Sequence, residues 1–117
     1  MRLALALSLL LAASCGDSRE APGWRGDAEN GRLLLRQFGC GTCHDIPGVA
    51  AAKGRVGPPL ERIAEQAYLG GVLPNTPENL MDFIRSPQRF EPRSKMPDMG
   101  ITEPHARDMV AYLLTLR

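Results

Sequence analysis

Two cysteines and a histidine stand together in the pentapeptide Cys40-Gly41-Thr42-Cys43-His44. With two residues between them, the thiols lie about one helical turn apart and face one way. Such a pair can add to the two vinyl groups of a single porphyrin. A histidine directly after the second thiol is held under the ring, where its imidazole can bind iron. C-x-x-C-H is the attachment pattern of c-type haem. Two other chemistries use part of the pattern. A dithiol redox pair needs a βαβ setting, which the chain lacks. Zinc needs four ligands, and only Cys15 and His105 remain among the cysteines and histidines. One covalent haem on Cys40 and Cys43 is therefore expected, with His44 as an iron ligand.

Porphyrin nitrogens fill the plane, so a second axial position is open, and methionine or histidine could close it. Met1 falls in the leader, Met81 lies mid-helix and Met109 sits on an apolar helical stripe, which makes the last two core residues. Met96 and Met99 lie in an interhelical loop, where the backbone can set a sulfur at the right distance. Pro97 stiffens the chain beside Met96, which is the favoured ligand, whereas Met99 is expected to pack inward. His105, among Glu103, Arg107 and Asp108, is the competing ligand and is expected to be solvated.

These residues must be positioned by a short chain. Its 117 residues suit one domain, with 14 basic and 13 acidic side chains. Residues 3–13 form an apolar run behind Arg2, too short to span a bilayer and suited to a secretory signal. Leu11-Ala12-Ala13-Ser14-Cys15 resembles a bacterial lipobox, with cleavage before Cys15 and acylation of its thiol. An ordinary signal peptide that happens to contain a cysteine is the alternative, and Ala12 stands where lipoboxes most often carry Leu. Residues 1–14 are thus read as a lipoprotein signal, 15–26 as a lipid-anchored tether and 27–117 as the haem domain. Cleavage removes Arg2 and leaves equal numbers of basic and acidic side chains, so no global field points to nucleic acid. Gly16–Gly26 is polar with three glycines and a proline, and fully extended would reach roughly 35–40 Å.

Asp27 is a good N-cap for a helix running towards Phe38, with Gly31, Leu34, Leu35 and Phe38 on one stripe. A glycine inside a helix costs up to about 1 kcal/mol, so Gly31 implies close approach of a second helix. Gly39 ends that helix, and residues 45–56 are a loop. The stiff turn Gly57-Pro58-Pro59-Leu60 is suited to present a carbonyl to the other nitrogen of a ligating imidazole. A short helix is expected at 60–69. Thr76 caps another, with Pro77 at its first position, which passes through Leu80, Met81, Phe83 and Ile84 and ends before Pro87. The last helix starts near Thr102 or Pro104 and runs to Leu116, burying Ala106, Met109, Leu113 and Leu116 with Tyr112 beside them. No strand-like alternation is visible, and the fold class expected is all-α.

With these residues placed, the chain resembles the small class I cytochromes c, bacterial monohaem forms and the cytochrome c domain of some oxidase subunits II in particular. The resemblance runs from Asp27 to Leu116. It rests on the haem motif, Gly57-Pro58-Pro59-Leu60, Leu73-Pro74-Asn75-Thr76-Pro77-Glu78-Asn79-Leu80, Lys95-Met96-Pro97 and Ala106-Arg107-Asp108-Met109-Val110-Ala111-Tyr112-Leu113. It implies His44 and Met96 as axial ligands, the Pro58 carbonyl orienting His44, Leu60 packed on the haem, and Gly31 facing the Met109/Tyr112 region. Two positions depart from the pattern. Gln66 stands where relatives often have a propionate-binding arginine, and Phe83 where they often have Trp or Tyr. Less positive charge near the propionates lowers the reduction potential, other things equal.

The function this implies is electron transfer, not catalysis. A monomeric carrier is expected on the periplasmic face of a bacterial membrane. It would accept electrons from a quinol-oxidising complex or dehydrogenase and pass them to a terminal oxidase. Arg85, Arg89, Arg93 and Lys95, just before Met96, are candidates for steering onto an acidic partner; a merely solvated basic face is the alternative. A haem sensor or peroxide-reducing enzyme with a labile distal ligand is a rival from a different class, and a fixed subunit of a larger oxidoreductase is another.

Overall fold

Three helices begin at side-chain caps of the kind read from the sequence. In the computed structural model, which describes residues 23–117, Asp27 accepts the Asn30 N–H at 2.9 Å and opens α1 (Ala28–Gln37). After a short antiparallel pair, β1 (Tyr68–Leu69) and β2 (Leu73–Pro74), Thr76 caps α2 (Pro77–Arg85) by accepting from Asn79 at 3.1 Å. One turn, α3 (Pro87–Phe90), follows, and Thr102 caps α4 (Glu103–Leu113). The described fold is all-α in substance; its hairpin is two residues a side.

α1 and α4 form the main packing contact, and Gly31 shows why. A Cβ at that position would stand 1.9 Å from the Asp108 carbonyl oxygen and 2.9 Å from the Met109 nitrogen, so only a bare Cα lets the helices come this close. Asp108 then locks the crossing from the other side. Its carboxylate accepts from the Asp27 N–H at 2.8 Å and the Asn30 side-chain amide at 2.7 Å. Leu34 and Leu35 on α1 meet Ala106, Met109, Val110 and Leu113 on α4 in one buried core, which Leu80, Met81 and Ile84 of α2 extend. Burial of these side chains is the main favourable term in folding.

The chain docks earlier than the expected boundary at Asp27. Trp24 donates its indole N–H to the Arg107 carbonyl at 3.0 Å, and the Arg107 guanidinium lies 5.0 Å over its ring. Residues 1–22, on which the expected signal sequence, Cys15 and the greater part of the expected tether fall, lie outside the described residues.

Two expectations are corrected. The helix expected at 60–69 is a single 3-10 turn, Ile63–Glu65, followed by β1. Long-range partners have taken its hydrogen bonds: the Ala64 N–H goes to the Leu116 carbonyl at 3.1 Å, and the Asn75 amide donates to the Ile63 and Gln66 carbonyls at 2.8 and 2.9 Å. α4 also stops at Leu113, because Thr115 and Leu116 bond three residues back rather than four. Leu116 is still buried. Among the described residues no helix is long and apolar enough to cross a membrane.

Candidate functional site

Gly39, in the left-handed region at φ 72°, ends α1 and turns the chain into a 3-10 turn over Cys40–Thr42. Cys43 and His44 both donate their main-chain N–H to the Cys40 carbonyl, at 3.2 and 3.0 Å. The two thiols therefore sit on one tight turn, free and half-buried. Burial pushes the Cys40 thiol above its ordinary pKa, a backbone hydrogen bond opposes the rise in part, and the neighbouring Cys43 adds a lesser rise. Reactive redox cysteines are held in the opposite state, as low-pKa thiolates. No three His, Cys, Asp or Glu side chains converge on a metal position among the described residues, so the zinc alternative has no ligand set there.

The loop after the motif folds back on it. Gly54 donates to the Gly41 and His44 carbonyls, Gly57 to the Cys43 carbonyl at 2.7 Å, and Leu60 to the Asp45 carbonyl at 2.9 Å. These bonds bring the Gly57-Pro58 turn against the imidazole, and the Pro58 carbonyl lies 2.7 Å from His44 Nδ1. A carbonyl can only accept, so Nδ1 carries the proton and the Nε2 lone pair is left for a metal. A Cβ at position 57 would stand 2.4 Å from His44 Cε1. The space the ring occupies exists because residue 57 is glycine.

Cys40, Leu60 and Met96 are all partly buried and packed against the same hydrophobic core, together with Phe38, Leu73 and Phe83. Met99 is not: it is 45 % exposed, contrary to the inward packing expected of it. A turn in which the Asp98 carboxylate accepts from the Gly100 N–H, with Gly100 at φ 65°, carries it outward. His105 is half-buried with its ring 6.1 Å from that of Phe38, edge on, rather than free in solvent. Phe83 stacks on Phe90 at 6.2 Å, and Gln66 is exposed.

The four basic candidates separate. Arg85 is half-buried and donates to the Ile101 carbonyl at 3.2 Å. Arg89 lies 5.4 Å over the Phe90 ring, Arg93 is 95 % exposed, and Lys95 is exposed. Sequence reasoning missed Gln88, Ser94 and Asn75. Each is a polar side chain whose partner is a main-chain group. No spacing rule announces such bonds.

The donor set suits a covalently attached haem. Two unpaired thiols share one turn, an imidazole is oriented by a carbonyl at Nδ1, a glycine makes room for the ring, and half-buried apolar side chains flank them. Comparison with known proteins agrees. A family model for cytochrome c matches residues 28–117. The chain is 31 % identical over 91 residues to a cytochrome c oxidase subunit 2 from Alkalihalophilus pseudofirmus, covering 77 % of this chain and 26 % of that protein. It is also 31 % identical over 105 residues to a cytochrome c2 from Agrobacterium tumefaciens, covering 76 % of this chain and 91 % of that one. The chain thus spans about a quarter of the oxidase subunit and nine-tenths of the cytochrome c2. Among solved structures, cytochrome c2 from Rhodobacter sphaeroides superposes with a TM-score of 0.56 at 19 % identity, covering 79 % of this chain and 97 % of that one. A match that begins at the first residue of α1 and ends at Arg117 takes in nearly all of the described fold, and the chain is a class I c-type cytochrome of the cytochrome c family.

Proposed function

We propose that this cytochrome carries single electrons on one haem c, attached through Cys40 and Cys43 and held axially by His44 Nε2 and the Met96 thioether. Membership of the family makes it a haem-based electron carrier with covalently bound haem c and redox protein partners. A haem held there would supply a one-electron ferric/ferrous couple. The residues of the chain do the rest. The Pro58 carbonyl keeps the His44 proton on Nδ1, which orients the ring and raises its basicity as a ligand. Leu60 and the half-buried apolar side chains beside it keep water from the ring. A thioether opposite imidazole raises the potential relative to two imidazoles, which suits delivery to an oxidising acceptor. We place the protein outside the cytoplasm on the periplasmic face, tethered through acylated Cys15. Electrons would come from a quinol-oxidising complex or dehydrogenase and leave to a terminal oxidase.

The observation that carries this reading is the bond between His44 Nδ1 and the Pro58 carbonyl, which leaves Nε2 as the nitrogen available to a metal. Carbon monoxide tests it. With both axial positions filled, the reduced protein is expected to be inert to the gas. Ready binding would overturn the carrier in favour of a sensor or a peroxide-reducing enzyme. The likeness to a cytochrome c oxidase subunit 2 favours a second reading, a fixed relay inside a larger complex. Detergent extraction separates the two, since a tethered carrier leaves the membrane alone and a subunit leaves with its partners.

A further inference from the structure

Met96 stands in a stretch without helix or strand, and among the described residues neither of its main-chain groups bonds to another main chain. Both are satisfied all the same. The Met96 N–H donates to the Ser94 hydroxyl at 3.2 Å, and the Met96 carbonyl accepts from the Gln88 side-chain amide at 2.5 Å. The same Gln88 nitrogen reaches the Ser94 carbonyl at 3.2 Å. Both acceptors are carbonyls and an amide nitrogen has two hydrogens, so only one orientation of the amide serves both.

Gln88 is in turn held by its place in the fold. It sits on α3, whose first residue, Pro87, is buried, so the amide reaches out from a fixed point. On the far side Pro97 restricts Met96 sterically, since the residue before a proline is pushed away from helical backbone angles. The Met96 side chain lies against the core. The backbone of Met96 is therefore clamped by one residue before it, one after it, and one amide from a neighbouring turn.

We propose that Gln88 is a positioning residue for the distal ligand: its amide holds the Met96 segment so that the thioether stays on the iron. The inference rests on Met96 being that ligand. A segment with no regular structure gives up its ligand as readily as its backbone relaxes, and the two Gln88 bonds oppose that relaxation. Their loss converts to an increase on the order of tenfold in how well an added ligand competes with the sulfur.

Imidazole is the probe, titrated optically into the haem-loaded ferric protein and its variants, with denaturant unfolding measured alongside. Gln88→Glu keeps the length but sets oxygens against the two carbonyls; Gln88→Arg keeps donors and cannot itself bind iron. Gln88→Glu is expected to bind imidazole on the order of tenfold more tightly than the wild type and to lose part of the far-red absorption of sulfur-ligated ferric haem. Its unfolding midpoint should fall modestly, because two hydrogen bonds of an exposed side chain are lost and no core packing. Gln88→Arg should stay close to the wild type. Equal shifts in the two variants would overturn the proposal, as would a lowered unfolding midpoint in Gln88→Glu with its imidazole affinity unchanged. Met96→Ala separates the layers. Tight imidazole binding there with wild-type behaviour in Gln88→Glu defeats the role of Gln88 alone. Wild-type affinity and absorption in Met96→Ala defeats the ligand assignment beneath it.

Discussion

His44 Nδ1 lies 2.7 Å from the Pro58 carbonyl oxygen, across a turn whose first residue leaves the imidazole no room to spare. A Cβ on Gly57 would meet His44 Cε1 at 2.4 Å and Nδ1 at 2.8 Å. Gly57→Ala must therefore push the ring aside or open the turn, and overpacking of this kind costs about 1–3 kcal/mol. The variant is expected to lose that much stability in denaturant unfolding and to have an altered reduction potential. Wild-type values for both would show that the ring is not confined by the turn.

Gly31 tests the packing of α1 on α4. Alanine is intrinsically better in a helix by about 1 kcal/mol. Here the new methyl would meet main-chain atoms of Asp108, which no rotamer change can move. The clash should win, and Gly31→Ala is expected to destabilise by about 2 kcal/mol, or roughly 10 °C in Tm for a domain of this size. An unchanged or raised Tm in a thermal scan would contradict so close a crossing.

Tyr112 links α4 to the loop behind the haem motif, its hydroxyl donating to the Pro47 carbonyl at 2.5 Å. Burial pushes its pKa up; the Arg32 guanidinium draws it down and Glu29 adds a smaller rise. A raised folded pKa means that the contribution is fully present below the unfolded tyrosine value of about 10, and is lost as pH climbs through the folded value. Tyr112→Phe should cost about 1 kcal/mol near neutral pH. The gap from the wild type should close in strongly alkaline solution. Thermal unfolding of both proteins across that range checks this, and a gap that stays constant would contradict it.

Arg89, Arg93 and Lys95 are open to solvent whereas Arg85 is tied to the Ile101 carbonyl. Charge reversal at the first three is expected to slow electron transfer to an acidic partner by about tenfold at low salt, with little effect on stability. Arg85→Ala should instead lower stability by about 1 kcal/mol. A rate with the physiological acceptor that is flat across ionic strength would rule out steering.

How far the sequence carried the fold depended on how local each cause was. Asp27, Thr76 and Thr102 bond within three residues of themselves; the first two are legible as caps, and Thr102 only as one of two possible helix starts. Gly31 is legible as a close approach because glycine has little other reason to sit in a helix. The stretch 60–69 was misread because Asn75 and Leu116, remote in sequence, take the groups a helix would have used. Met99 was misread because one Asp98 side chain and a positive φ at Gly100 decide which way the loop faces. The pentapeptide is complete in itself. What clamps Met96 is not, because Gln88 is eight residues away, on α3.

The most direct test of the whole account is voltammetry of the haem-loaded protein beside its Met96→His variant. Exchange of thioether for imidazole is expected to lower the midpoint by a sizeable part of the roughly 0.8 V over which axial ligands tune haem iron. A colourless protein from a host able to attach haem, or a midpoint that does not move on substitution, would contradict it.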